Sequence, residues 1–152
     1  MADPTPLSLI DVETISEAVL LMVKQYPNLP FTASASNVLW QSFATTESIG
    51  IYTAPGAIYL RKYISGSYVA QFPFMVIYKV TATNSKSRIN KQTSMENLSA
   101  WLTECTATFK DEHITLEKIE RTSPVIKIEK DADGFEQYRF TMNLTYQFTK
   151  KG

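Results

Sequence analysis

One cysteine and one histidine stand in 152 residues. Cys105 alone cannot close an intrachain disulfide, and a cysteine-rich metal site is excluded. His113 alone leaves Ser-His-Asp, Cys-His and His-ligated metal sites without their usual parts. Long apolar runs are missing too: stretches such as AVLLMV are far too short to span a bilayer. No basic segment leads into an apolar one at the start, MADPTPLSLID, so no signal peptide is expected. Neither G-x-x-x-x-G-K-[ST] nor G-x-G-x-x-G occurs, which removes the usual phosphate-cradling loops. Charge of one sign is lacking as well. Fifteen basic and fifteen acidic residues cancel, so the electrostatic footprint of a dedicated nucleic-acid binder is absent.

What is present is apolar and aromatic. The hydrophobic fraction is 44% and the aromatic fraction 12%, on a length that suits a single domain spanning 1–152. A chain of this size typically buries ~70% of the surface exposed by its unfolded form. No reactive cluster emerges. Asp131-Ala132-Asp133-Gly134 has the look of a calcium loop, but Phe135 and Glu136 stand where further ligands and the turn glycine belong, so a hairpin turn is the better reading. No catalytic, cofactor-binding or metal-binding residue is assigned, and no cofactor is expected.

Residues 1–8 read as a loose, proline-containing leader. Asp11 fits an N-cap for a helix reaching about Tyr26, with Val12, Ile15, Val19, Met22, Val23 and Tyr26 at helical spacing and Pro27 as its stop. Residues 28–47 fit no period, although Leu39, Trp40 and Phe43 suggest packing. SIGIYT and AIYLRKYI read as strands around an APG turn, and Ser65-Gly66 closes a tight connection into a third strand from Tyr68 to about Thr83. A polar, basic loop at 84–92 follows. Thr93 and Glu96 have the capping-box spacing for a second helix, whose stripe is Met95, Leu98, Trp101, Leu102 and Cys105. Another strand covers Ile114 to Glu120, Ser123-Pro124 breaks it, and VIKIEK resumes. The last strand alternates Tyr138, Phe140, Met142, Leu144, Tyr146 and Phe148 with Gln137, Arg139, Thr141, Asn143, Thr145 and Gln147. The expected class is α+β. Its sheet has five to six strands, mostly antiparallel with a mixed sheet left open, and two amphipathic helices pack on one face.

In the third strand the even positions, Tyr68 to Ala82, form an unbroken apolar face, while the odd face is mixed. Met75 and Ile77 there want cover, Lys79 and Thr81 want water, and Pro73 removes a ladder donor, which points to an edge or a bulge.

Four stretches, DVETISEAVLLMVKQY, GAIYLRKYISGSYVAQFPFMVIYKV, SRINKQTSMENLSAWL and ITLEKIERTSPVIKIEKDADGFEQYRFTMNLTYQF, follow one another between residues 9 and 148. In order and length they resemble the tail-terminator, or minor capsid, proteins of tailed bacteriophages of Gram-positive bacteria. It implies a structural virion protein without enzymatic activity, made in the host bacterial cytoplasm. Such proteins form a homo-oligomeric ring, typically a hexamer, at the head-proximal end of the tail. The implied partners are further copies of the chain, the tail tube protein and the head connector. Neither a membrane nor sequence-specific nucleic acid is implied; DNA passes through the ring unread.

Ring subunits meet through heterologous contacts that close by rotation. Candidate contact residues are the turn Ile64, Ser65, Gly66 and Ser67, the mixed strand face at Met75 and Ile77, the basic loop with Lys86, Arg88 and Lys91, and the polar face around Arg139, Thr141 and Asn143. Two other readings stay open from the residues alone. One is a small-molecule-binding or enzymatic α+β domain with a curved sheet, using Tyr68, Tyr78, Tyr138 and Tyr146 as polar handles. The other is a non-viral adaptor module.

Overall fold

The computed structural model describes residues 9–28, 37–44, 47–54, 59–81, 84–105, 109, 112–128 and 134–150. The leader at 1–8, most of the acidic turn (131–133) and the last two residues lie outside them. The elements are α1 (Leu9–Lys24), β1 (Val38–Trp40), β2 (Ser48–Thr53), β3 (Tyr59–Lys62), β4 (Tyr68–Val80), α2 (Ser85–Thr103), β5 (Ile114–Arg121), β6 (Ile126–Ile128) and β7 (Glu136–Phe148). Among the described residues seven strands form one sheet. All its pairings are antiparallel except β1 with β2. The α+β class is as expected; the added strand is β1, hidden in a stretch without period.

Two long strands make the spine. β4 and β7, thirteen residues each, pair without interruption from Tyr68↔Phe148 to Val80↔Glu136. Their alternation puts Ala70, Phe72, Phe74, Val76, Tyr78 and Val80 on the same side as Tyr138, Phe140, Met142, Leu144 and Tyr146, all buried. Both helices cover that side. Ile15, Val19, Met22 and Val23 of α1 join Met95, Leu98 and Leu102 of α2 in the same core, and Tyr26 meets Trp101 with ring centroids 5.4 Å apart. Fully burying a side chain of this kind contributes roughly 1.5–3 kcal/mol. The apolar stripes therefore decide which helix faces point inward.

Each flank of the spine is broken. β2 pairs Phe74 to Lys79 and β3 pairs Tyr68 to Ala70, both on one side of β4. Pro73 falls in the gap between them. Its carbonyl accepts from the Ala54 N–H at 3.0 Å. A strand residue directs its N–H and C=O to the same side, so the donor that proline lacks would have pointed into this gap. Pro73 thus pairs with Asn143 on one side and is a local edge position, as the sequence suggested, on the other, although its strand is central.

On β7, β6 pairs Gln137 to Arg139 and β5 pairs Met142 to Phe148. Between them, Ser123 Oγ accepts the Thr141 N–H at 2.8 Å while the Thr122 N–H donates to the Thr141 carbonyl at 2.8 Å. The hydroxyl carries the ladder across the Ser-Pro break.

The second helix starts eight residues before the Thr93 capping box. Asn84 is its N-cap, accepting the Ser87 N–H at 2.8 Å. Residues 85–94 are exposed or half-buried, so no apolar period marks them, and the expected basic loop is helix. Asp11, expected as the cap of α1, lies within that helix, and β4 ends at Val80 rather than Thr83. Arg121 of β5 ties α2 down by donating to Glu96 and, at 3.2 Å, to Ser99 Oγ.

Candidate functional site

The surface of interest is the side of the sheet away from the helices, together with the β3–β4 hairpin. Its geometry begins with Gln41, whose φ of +50° turns the chain sharply after β1. The Gln41 N–H donates to the Ile51 carbonyl at 2.7 Å. Residues 42–44 then cross over the sheet at Gly50. A Cβ on Gly50 would lie 2.7 Å from the Ser42 carbonyl oxygen and 2.9 Å from Phe43 Cε1. Phe43 packs against Tyr52, 5.5 Å between ring centroids. Lys79 Nζ donates to the Ala44 carbonyl at 3.1 Å and sits 4.5 Å from the centre of the Phe135 ring.

The chain thereby covers part of its own mixed face. Ile77 is 8% exposed and Lys79 9%. Ile77 is therefore core within one copy, and its nomination as a residue awaiting a partner is corrected. Lys79 is not left in water either. Met75, two residues nearer the hairpin, remains half-buried beside Thr141. Arg139, Thr141 and Asn143 are also half-buried. Asn143 Nδ2 donates to Gln71 Oε1 at 2.8 Å across the spine. Asn143 Oδ1 and Thr145 Oγ1 are buried with no hydrogen-bond partner among the described residues.

The hairpin is the most exposed apolar element described. Its turn is closed by Tyr63 N–H to the Ser67 carbonyl at 2.9 Å and Gly66 N–H to the Tyr63 carbonyl at 3.0 Å. Gly66 has φ +93°, which a residue with a Cβ rarely adopts. Ser67 Oγ accepts the Lys150 N–H at 2.9 Å, fastening the turn to the chain's end. At its base Tyr68 stacks on Phe148, 4.9 Å between centroids, and Tyr59 meets Tyr68 edge-on at 5.1 Å. Leu60, Tyr63 and Ile64 stay out in solvent, Ile64 fully so. Sequence reasoning named Ile64 but not Leu60 and Tyr63, because strand alternation in YLRKYI reveals neither the register shift at Leu60 nor that β3 ends at Lys62.

The basic residues lie elsewhere. Lys86, Arg88 and Lys91 occupy the first two turns of α2, beyond the opposite end of β4. The thirteen residues between are about 40 Å of strand, so hairpin and basic turns form two separate surfaces. Arg88 is not free for a partner: its Nε donates to Glu136 at 2.9 and 3.2 Å. Lys127 Nζ also lies 3.3 Å from the Glu136 carboxylate, whose side chain has no exposed surface. Burial alone would raise the Glu136 pKa, but the bonds from Arg88 and Lys127 prevail and hold it below the ordinary carboxylate range.

Of the tyrosines that a ligand-binding reading needs, Tyr68 is half-buried against Phe148, and the Tyr138 hydroxyl is buried with no hydrogen-bond partner among the described residues. Tyr78 donates to Glu47, and burial, helped by that carboxylate, drives its hydroxyl pKa up. Tyr138 and Tyr146 are buried in the core. Cys105 lies just past α2, half-buried and packed against the core. His113 Nδ1 is 3.0 Å from the Thr149 carbonyl. Among the described residues no cluster of His, Cys, Asp and Glu suits a metal ion, and no helix is long and apolar enough to cross a membrane.

No protein-family model matches the chain, and no curated protein matches it. Among solved structures, a chain from the virion of a native gene transfer agent particle superposes with a TM-score of 0.62. It is 9% identical and covers 92% of this chain and 99% of its own length. A second solved chain, 15% identical over 96% of this chain and 99% of its own, reaches only 0.41, too low to support a shared fold. The first likeness shows that this chain has the fold of that virion component.

Proposed function

We propose that the protein is a structural component of a virion, and within that class a tail terminator. On this reading it forms a ring, six copies around, at the head-proximal end of the tail tube and joins the tube to the head connector. It does no enzymatic chemistry. The observation that carries the reading is the fold shared with a gene transfer agent virion chain along nearly the whole of both. The sequence resemblance between residues 9 and 148 supports the finer role. The Gram-positive host implied by that resemblance gains nothing from this neighbour and is not part of the proposal.

The surface is consistent with such a subunit. An apolar hairpin and a set of basic turns lie beyond opposite ends of the spine, which gives one copy two different places to meet its neighbours. The neutral net charge suits a ring through which DNA slides, since tight phosphate contacts would hold it.

Co-sedimentation with assembled tubes of the tail tube protein from the same genome tests the role. A terminator binds tube ends, so shearing the tubes to double their number should double the bound protein at constant tube mass. Binding that follows tube mass instead, or no binding, would overturn it.

A further inference from the structure

We propose that neighbouring copies join edge to edge, β3 of one against β5 of the next, so that one antiparallel sheet continues around the assembly. This rests on the ring reading above and supplies its subunit contact.

At the hairpin end the sheet runs β3, β4, β7, β5, with every adjacent pair antiparallel. β3 and β5 therefore run in opposite directions. A second copy in the same orientation sets its β3 beside β5 with the alternation preserved. Among the described residues each of these strands pairs on one side only, which leaves a ladder edge open. The edges at the other end of the sheet, β1 and β6, have three residues each; β3 has four and β5 eight.

Charge distinguishes the two edges. β3 carries Arg61 and Lys62, both exposed. On β5 the cations are engaged within the copy: Lys118 lies 3.6 Å from Glu120, and Arg121 holds Glu96. Glu117, the extra residue where the register shifts between Leu116 and Lys118, is exposed. The charges of β5 itself cancel, and Lys62 of β3 lies over its own Tyr59 ring at 4.1 Å, so the complementary contact across the edges is Arg61 of one copy with the exposed Glu117 of the next. Apolar surface adds to the pairing, since Leu60, Tyr63 and Ile64 are three of the six exposed large hydrophobics among the described residues. Unlike edges make the contact heterologous, able to close into a ring.

Two charge-reversed chains test this, Arg61→Glu and Glu117→Arg, both at exposed positions and checked for folding by circular dichroism. Each alone should self-associate roughly tenfold more weakly, because like charges then face each other. Mixed one to one they should recover assembly, alternating around the ring, as every contact regains opposite charges. No recovery on mixing overturns the edge pairing. As a second route, Arg61→Cys/Lys118→Cys in a Cys105→Ser background should give a ladder of disulfide-linked oligomers on tubes, with neither single cysteine doing so. Rings on tubes without a ladder overturn the pairing and spare the ring reading; no ring and no ladder overturn both.

Discussion

Arg88, in the first turns of α2, and Glu136, at the start of β7, form an ion pair 48 residues apart in sequence, 2.9 Å at its closest. The carboxylate has no exposed surface, while the guanidinium above it is about a third exposed. The pair pins the first turns of the helix to the start of β7.

A pH dependence follows. The folded-state pKa of Glu136 lies below its ordinary value of 4.5, so its contribution is fully present above that pH. It is lost as pH falls through the lower folded value. Urea unfolding between pH 6 and 3 should show stability declining below about 4.5, with a shallower decline in Glu136→Gln. At neutral pH, Arg88→Ala should destabilise by about 1–2 kcal/mol, less than a fully buried pair because the cation is partly solvated. An unchanged pH profile in Glu136→Gln would remove this role.

Gly50 is required by the crossing of residues 42–44. A methyl group there would meet the Ser42 carbonyl at 2.7 Å, a backbone atom that cannot turn aside. Gly50→Ala should cost about 1–3 kcal/mol by denaturant titration, although alanine is usually the better strand residue. A neutral or stabilised variant would show that the crossing segment yields freely.

Ile77 and Met75 should separate stability from assembly. Ile77→Ser removes a buried side chain and should destabilise by about 2–4 kcal/mol. Met75→Ser, on a half-buried residue, should cost under about half of that. If both variants lose stability equally, the mixed face is core throughout.

Ile64 touches little within one copy. Ile64→Ser should leave the denaturation midpoint unchanged, within about 0.5 kcal/mol, while weakening assembly on tubes at least tenfold, as removal of an apolar anchor does. Normal assembly by this variant would take the hairpin tip out of the interface.

Much of this fold was legible because burial imposes period. Tyr138 to Phe148 alternate, and β7 lies there; Ile15, Val19 and Met22 recur at helical spacing, and α1 buries them. Legibility failed where tertiary context replaces period. The first turns of α2 are solvated on most sides, so Arg88 read as loop until its carboxylate partner, 48 residues away, was seen. β1 is three residues long and parallel to its neighbour, too short for alternation to register. Ile77 looked uncovered because it pairs with Gly50, over which residues 42–44 cross, and no local pattern connects that segment to β4. Of the candidate surface, Ile64 and Gly66 were readable from turn chemistry. Which flanking apolar residues stay exposed depends on the register shift at Leu60 and on where β3 ends, and both are properties of the whole fold.

The most direct measurement is electron microscopy of tail tubes incubated with the protein, with subunits counted by rotational averaging at the tube end. A single ring of six copies on one end of each tube is the expected result. Bare ends, or protein decorating the tube walls, would contradict the terminator role.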